Sequence, residues 1–282
     1  MHAITGKTPL IRITQRIYAK LETYSPTGSV KDRLVNYLVK KAIERGEIKK
    51  NTVLCEATSG NTGISLSSIA ANLGLECKIF MPSNMSEERR SMMKAYGANI
   101  INTPPSDFEK AIEMRDAYVN STKNAWTPRQ FSNEENIKCH QILTGPEILN
   151  DTRVHNLGEW SAFVHGAGTG GTIEGIRRYI SEKKLPTSVC MVIPEESPHG
   201  IQGIGDGRDF LAKKQDMDAI EHIKTNDAIE RAKKFCKEKG ILVGISSGAN
   251  LLAAEKYAKN NPGDNLIVTM LCDRGERYLS IY

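Results

Sequence analysis

The chain reads as an α/β protein with a largely parallel sheet covered by helices, and three observations carry that reading. From Val53 onward short apolar runs alternate with longer amphipathic segments, the order of elements that builds parallel sheets. With 282 residues and 39% hydrophobic content, the chain can form a packed core in one large domain or two modest ones. There is no internal repeat, heptad array or low-complexity segment to suggest another architecture.

The elements follow in order. A helix over 34–44 precedes a strand at 52–56; a helix over 62–73 leads to a strand at 77–81; a helix over 87–96 leads to a strand at 99–102. A long helix over 134–149 then precedes a strand at 161–165, a helix over 172–182 precedes a strand at 189–193, and helices over 227–239 and 249–259 lead to a last strand at 266–271. Polar breaks rich in Gly or Pro fall at 25–29, 104–106 and 197–207. The last is the longest stretch without strand or helix periodicity, which suits either an active-site loop or a solvated surface loop.

Composition narrows the function classes. Residues 1–13 contain Lys7, Pro9 and Arg12 and no apolar run of the length export requires, and no stretch approaches the roughly 20 apolar residues of a membrane span, so the expected compartment is the cytoplasm. Cysteines at 55, 77, 139, 190, 236 and 272 form no CxxC pair and have no His cluster beside them, so the expectation is reduced thiols and no metal. The net charge of +5 comes from 38 basic and 33 acidic residues in local mixtures such as Glu87, Glu88, Arg89 and Arg90. That pattern does not suit nucleic acid; a mild positive excess suits anionic small molecules or carries no meaning.

Three turns join glycine to hydroxyl or amide residues at a strand end or helix start. Thr58, Ser59, Gly60, Asn61, Thr62 and Gly63 follow the first strand; backbone N–H groups and side chains there can wrap a carboxylate or phosphate, or simply cap a helix. Gly166, Ala167, Gly168, Thr169, Gly170, Gly171 and Thr172 satisfy the GxGxxG dinucleotide pattern, with Glu195 after the next strand as a ribose-binding acid. On that reading the chain is an NAD-dependent dehydrogenase; the same glycines and threonines equally make a cup for one phosphate monoester. Gly244, Ile245, Ser246, Ser247 and Gly248 precede the 249–259 helix, where a hydroxyl either caps the helix or meets a ligand ring nitrogen. No His and Asp partners accompany this serine as a hydrolase would need.

Lys31, within Pro26, Thr27, Gly28, Ser29, Val30, Lys31, Asp32 and Arg33, stands just before a helix expected to begin near Arg33. Alone it is an ordinary solvated helix end. Followed in order by the 58–63 turn, the 168–172 cup and the 244–248 turn, it resembles the fold-type II (tryptophan synthase β-like) pyridoxal-phosphate enzymes, specifically the cysteine synthase (O-acetylserine sulfhydrylase) and cystathionine β-synthase family. The likeness spans about residues 5–280 and includes Gly6, Thr8, Pro9 and Leu10; Gln130, Phe131, Ser132 and Asn133; Thr144, Gly145, Pro146 and Glu147; and His199 with Ile201, Gln202, Gly203, Ile204 and Gly205.

What the resemblance implies is specific. Lys31 forms the Schiff base with pyridoxal 5'-phosphate; Asn61 and Ser246 meet the cofactor ring, at its hydroxyl oxygen and its nitrogen; Gly168, Thr169, Gly170, Gly171 and Thr172 take the phosphate. Thr58, Ser59, Gly60, Asn61, Thr62 and Gln130 hold the substrate carboxylate. The implied reaction is β-replacement at a serine-derived amino acid, O-acetyl-L-serine and sulfide giving L-cysteine and acetate through an α-aminoacrylate, with Lys31 as general base. A neutral Ser246 hydroxyl leaves the pyridine unprotonated, which suits β-elimination. The resemblance also implies two open twisted α/β domains, a smaller mobile one over 25–134 and a larger one over 1–24 plus 135–282, with the cofactor in the cleft between them, and a homodimer.

The chain departs from its relatives in places that bear on substrate choice. Cys272, Asp273, Arg274 and Gly275 resemble the B-type enzymes, which accept sulfur donors larger than sulfide. Asp206 and Arg208 are either specificity residues or exposed loop charges: an acid in the pocket can protonate a poor leaving group such as that of serine or cysteine, and an arginine there can pair with O-phosphoserine. The alternatives on the same scaffold are therefore cystathionine β-synthase-like, hydrogen-sulfide-releasing or lanthionine-forming chemistry.

Overall fold

A computed structural model describes residues 5–205, 210–263 and 266–282. In chain order the elements are β1 (Leu10–Arg12), β2 (Ile17–Leu21), α1 (Lys31–Glu44), β3 (Val53–Ala57), α2 (Asn61–Leu73), β4 (Cys77–Pro82), α3 (Glu87–Ala95), β5 (Asn99–Thr103), α4 (Phe108–Ser121) and β6 (Ala125–Trp126). They continue as α5 (Glu134–Cys139), a π turn (His140–Thr144), α6 (Gly145–Val154), β7 (Trp160–Gly166), α7 (Gly171–Lys183), β8 (Ser188–Pro194), β9 (Ala219–Ile223), α8 (Thr225–Lys239), α9 (Ile245–Asn260) and β10 (Leu266–Leu271). The mixed α/β class and two-sheet architecture are those expected of a fold-type II enzyme.

Contacts divide the chain into two compact units. The first comprises residues 25–129 and 277–281, with Thr5. Its sheet runs β5-β4-β3-β6, with every pairing parallel. Every residue of β3 is buried, as expected when helices cover both faces of a parallel sheet. Alternation along the strands sorts the core: Leu54, Ile79 and Met81 pack with Val35, Ile64 and Met93, while Val53, Cys55, Ala57 and Phe80 pack with Ala111 of α4.

The second unit comprises residues 6–24 and 130–276, with Tyr282. Its sheet runs β1-β2-β10-β7-β8-β9, parallel throughout except for the β1–β2 hairpin.

Five elements were not expected, and each has a physical reason. The hairpin strand β2 carries Lys20, which is wholly buried and salt-bridged to Glu147 at 2.7 Å and Asp151 at 2.5 Å; a charge in the core hides its strand. β1, β6 and β9 are short or edge strands with mixed burial. Helix α4 buries Arg115 alongside Ala111, so its inner face reads as polar. The single helix expected over 134–149 is instead broken by the π turn. There the Gly145 N–H donates to the His140 carbonyl, and the next residue, Pro146, has no N–H with which to continue the α pattern.

Candidate active site

The first unit positions Lys31. It is the first residue of α1, two residues earlier than the sequence suggested. The loop before it is fixed by Asp32, whose buried carboxylate accepts from Thr27 N at 2.7 Å, Thr27 Oγ1 at 2.5 Å and Ser65 Oγ at 2.6 Å. Ser65 lies on α2, so this carboxylate ties the Lys31 loop to the helix that follows the 58–63 turn. In that turn Thr58 Oγ1 accepts the Gly60 N–H at 3.0 Å, and Asn61 opens α2. Thr58 and Thr62 are buried while Ser59 and Asn61 are partly exposed. Gly60 has its glycine for reasons of space: an added Cβ would come within 2.5 Å of Arg89 Nε.

The second unit gathers the remaining described candidates. Gly170, in a left-handed conformation at φ 84°, caps α7, so the helix's first N–H groups point out of its N-terminal end beside the Thr169 and Thr172 hydroxyls. At its glycines the cup has no room for side chains. A Cβ on Gly168 would collide with the Gly203 carbonyl, and one on Gly170 would lie 2.5 Å from Ala212 N. The 203–205 loop is pinned to the cup by Gly205 N donating to Ala167 O at 2.9 Å, and the Ser246 hydroxyl sits 3.4 Å from where a Cβ on Gly203 would be. Ser246 is therefore inside the first turn of α9 rather than ahead of the helix. Gln130 joins through its backbone: Asn136 Nδ2 donates to Gln130 O at 2.8 Å and to Thr169 Oγ1 at 3.1 Å.

These residues suit pyridoxal phosphate. A side-chain-free backbone cradle at a helix N-terminus, with two threonine hydroxyls, matches a phosphate monoester dianion, and Ser246 offers a neutral hydroxyl to a ring nitrogen. Cys272 lies behind Ser247, whose Oγ accepts the Cys272 N–H at 2.9 Å. Asp206 and Arg208 fall outside the described residues. The acid of the dinucleotide reading, Glu195, is half exposed and reaches Lys224 at 3.5 Å.

Sequence reasoning missed three positioning side chains. Asp32, beside Lys31, reads in sequence as an ordinary charge at a solvated helix end. Asn136 and His140, both buried, lie four residues apart on one helical face; His140 spans Thr144 Oγ1 at 2.9 Å and Thr172 Oγ1 at 3.2 Å. Two polar residues at that spacing on an otherwise apolar helix face were the available signal.

Comparison with known proteins identifies the family. The family described as "Pyridoxal-phosphate dependent enzyme" matches residues 2–273. A cysteine synthase B of Campylobacter jejuni is 39% identical, covering 98% of this chain and 95% of that protein. Among solved structures, an O-acetylserine-dependent cystathionine β-synthase from Helicobacter pylori aligns with a TM-score of 0.91 at 34% identity over 100% of this chain and 99% of the other. A hydrogen sulfide-producing enzyme from Fusobacterium nucleatum aligns at 0.90 with 36% identity, covering 97% of each chain. The family match replaces the dehydrogenase reading of Gly166 to Gly171. The chain belongs to the pyridoxal-phosphate dependent enzymes, in the cysteine synthase family, and is an enzyme of β-replacement with pyridoxal phosphate as its cofactor.

Proposed function

We propose that the first substrate is O-acetyl-L-serine and the nucleophile sulfide, giving L-cysteine and acetate. The observation that carries the reading is Lys31 at the head of α1, on a loop fixed by three hydrogen bonds to Asp32, in a chain that aligns with cysteine synthases over nearly its whole length. When bound, pyridoxal phosphate supplies an aldehyde for the substrate amine and an electron sink for negative charge at Cα. Lys31 Nζ would hold the cofactor and would be the base that removes and returns the proton at the substrate Cα. The 168–172 cup anchors the phosphate. Ser246 would offer a hydroxyl, not a carboxylate, to the ring nitrogen and so would not favour its protonation. Thr58, Ser59, Gly60, Asn61, Thr62 and Gln130 are assigned to the substrate carboxylate, whose fixed position orients the Cα–H bond. Asp206, Arg208 and Cys272 are assigned to leaving-group and donor choice.

The chain's assignment to the cytoplasm as a homodimer belongs to the same proposal; all six cysteines are free, which suits a reducing compartment. No helix among the described residues is long and apolar enough to cross a membrane. The likeness to the Fusobacterium enzyme favours one second reading, with cysteine as first substrate and sulfide as the leaving group.

Steady-state assays of O-acetylserine, O-phosphoserine, serine and cysteine, each with and without sulfide, separate these readings. The expected result is cysteine and acetate from O-acetylserine, abolished in Lys31→Ala. Faster turnover of another first substrate transfers the assignment to it.

A further inference from the structure

We infer that Arg89 is a positioning residue for the substrate carboxylate, a buried cation seated under the 58–63 turn that raises the turn's affinity for an anion. This rests on the reading of that turn as the carboxylate site. Arg89 is 2% exposed and is among the largest fully buried side chains. Its guanidinium occupies the space that a side chain on Gly60 would fill, with Nε at 2.5 Å and Cζ at 3.3 Å from the built Cβ position. Gly60 is the N-cap of α2, so the charge lies against the helix end whose dipole already favours an anion.

The second observation concerns the guanidinium's own bonding. Its neighbour Arg90, also buried, is satisfied by Asn102 Oδ1 at 2.6 Å and Pro82 O at 2.7 Å. Arg89 is not: Nε and Nη1 are buried with no hydrogen-bond partner. The ring of Tyr278 lies 4.6 Å from Cζ and holds the cation by its face. The nearest carboxylate in sequence, Glu88, instead accepts the Ser280 N–H at 2.9 Å. Its carboxyl is held below the ordinary value chiefly by its own backbone N–H and that of Ser280, with Arg89 a lesser cause. An arginine cannot shed its proton to relieve burial, and an enclosed guanidinium with two nitrogens unbonded is costly. An anion at the head of α2 offsets that cost, and the cation in turn strengthens the anion's binding.

The segment that holds Arg89 reaches the unit from the far end of the chain. Tyr278 is fully buried, Arg277 donates to Thr27 O in the loop before Lys31, and Arg277 O accepts from Ser86 Oγ at 3.3 Å. The four residues at 277–280 thus clamp α3 and the Lys31 loop together within one unit.

The test uses the holoenzyme with L-alanine and L-alaninamide, a pair that lack a leaving group and differ in the carboxylate charge, with dissociation constants from calorimetry. In the wild type L-alanine binds tighter than the amide. In Arg89→Met that preference falls on the order of tenfold, which is about 1.4 kcal/mol, while amide binding is unchanged; Arg89→Lys retains most of the preference. If Arg89→Met folds poorly, Arg89→Gln replaces it, and an inactive fraction lowers the measured stoichiometry for both ligands alike and leaves the ratio of their constants intact. A preference that persists in the neutral variants overturns the role of Arg89 alone. Equal weakening of both ligands shows a structural role and also overturns it. A wild type with no preference overturns the carboxylate assignment of the turn and the inference with it.

Discussion

Gly171→Ala is the sharpest probe of the 168–172 turn, because its effect depends on a single neighbour. The nearest atoms to a Cβ built at Gly171 all belong to the Asn136 amide, with Nδ2 at 2.7 Å and Oδ1 and Cγ closer still. Asn136 is wholly buried, so it can yield only by breaking its bonds to Gln130 O and Thr169 Oγ1. Overpacking costs about 1–3 kcal/mol, and two buried hydrogen bonds add about 1 kcal/mol each. The expected loss is therefore roughly 3–5 kcal/mol, a fall in Tm of about 5–8 °C for a chain of this size. Removing the amide removes the obstacle. In an Asn136→Ala background, Gly171→Ala puts a methyl into vacated space at a helix position that tolerates alanine, and is expected to cost less than about 1 kcal/mol. The double-mutant cycle, read by urea or thermal unfolding, should thus show a coupling of about 2–5 kcal/mol. Additive effects would refute the account, since they would mean that Gly171 is constrained by something other than Asn136.

Two further outcomes follow from charge and burial. On α7, burial alone would raise the Glu174 carboxyl, but hydrogen bonds from Arg177 and Arg178 outweigh it and hold the group below its ordinary value of 4.5. A carboxyl lowered by folding stabilises the fold above its ordinary range and loses that contribution as pH falls through the lowered value. The stability gap between wild type and Glu174→Gln should therefore be constant near neutrality and close in acid; a gap independent of pH would contradict it. Of the six cysteines only Cys236 is partly exposed, and burial pushes the Cys55, Cys77 and Cys190 thiols up to about 12. Thiol titration of the native enzyme at mildly alkaline pH should label one cysteine quickly and the other five only in denaturant; rapid labelling of several would count against the burial described.

Much was legible from the residues themselves. The α/β class and the main strands follow from apolar runs such as Val53–Ala57 and Leu266–Leu271, because strands buried on both faces must be apolar nearly throughout. The glycine turns stand out by their order along the chain, and at Gly168, Gly170 and Gly171 the glycine is the mark of close packing, against Gly203 O, Ala212 N and the Asn136 amide. What local pattern could not show were the elements whose buried faces carry charge, β2 with Lys20 and α4 with Arg115: a paired buried ion looks like a surface residue until its partner is known. The same holds for function. Asp32, Asn136 and Arg89 read as ordinary polar side chains, and only tertiary packing brings Thr27 and Ser65 to the first, the cup to the second and Gly60 and Tyr278 to the third. Their partners lie near and far along the chain, and the distant ones meet only because burial of a common core draws them together.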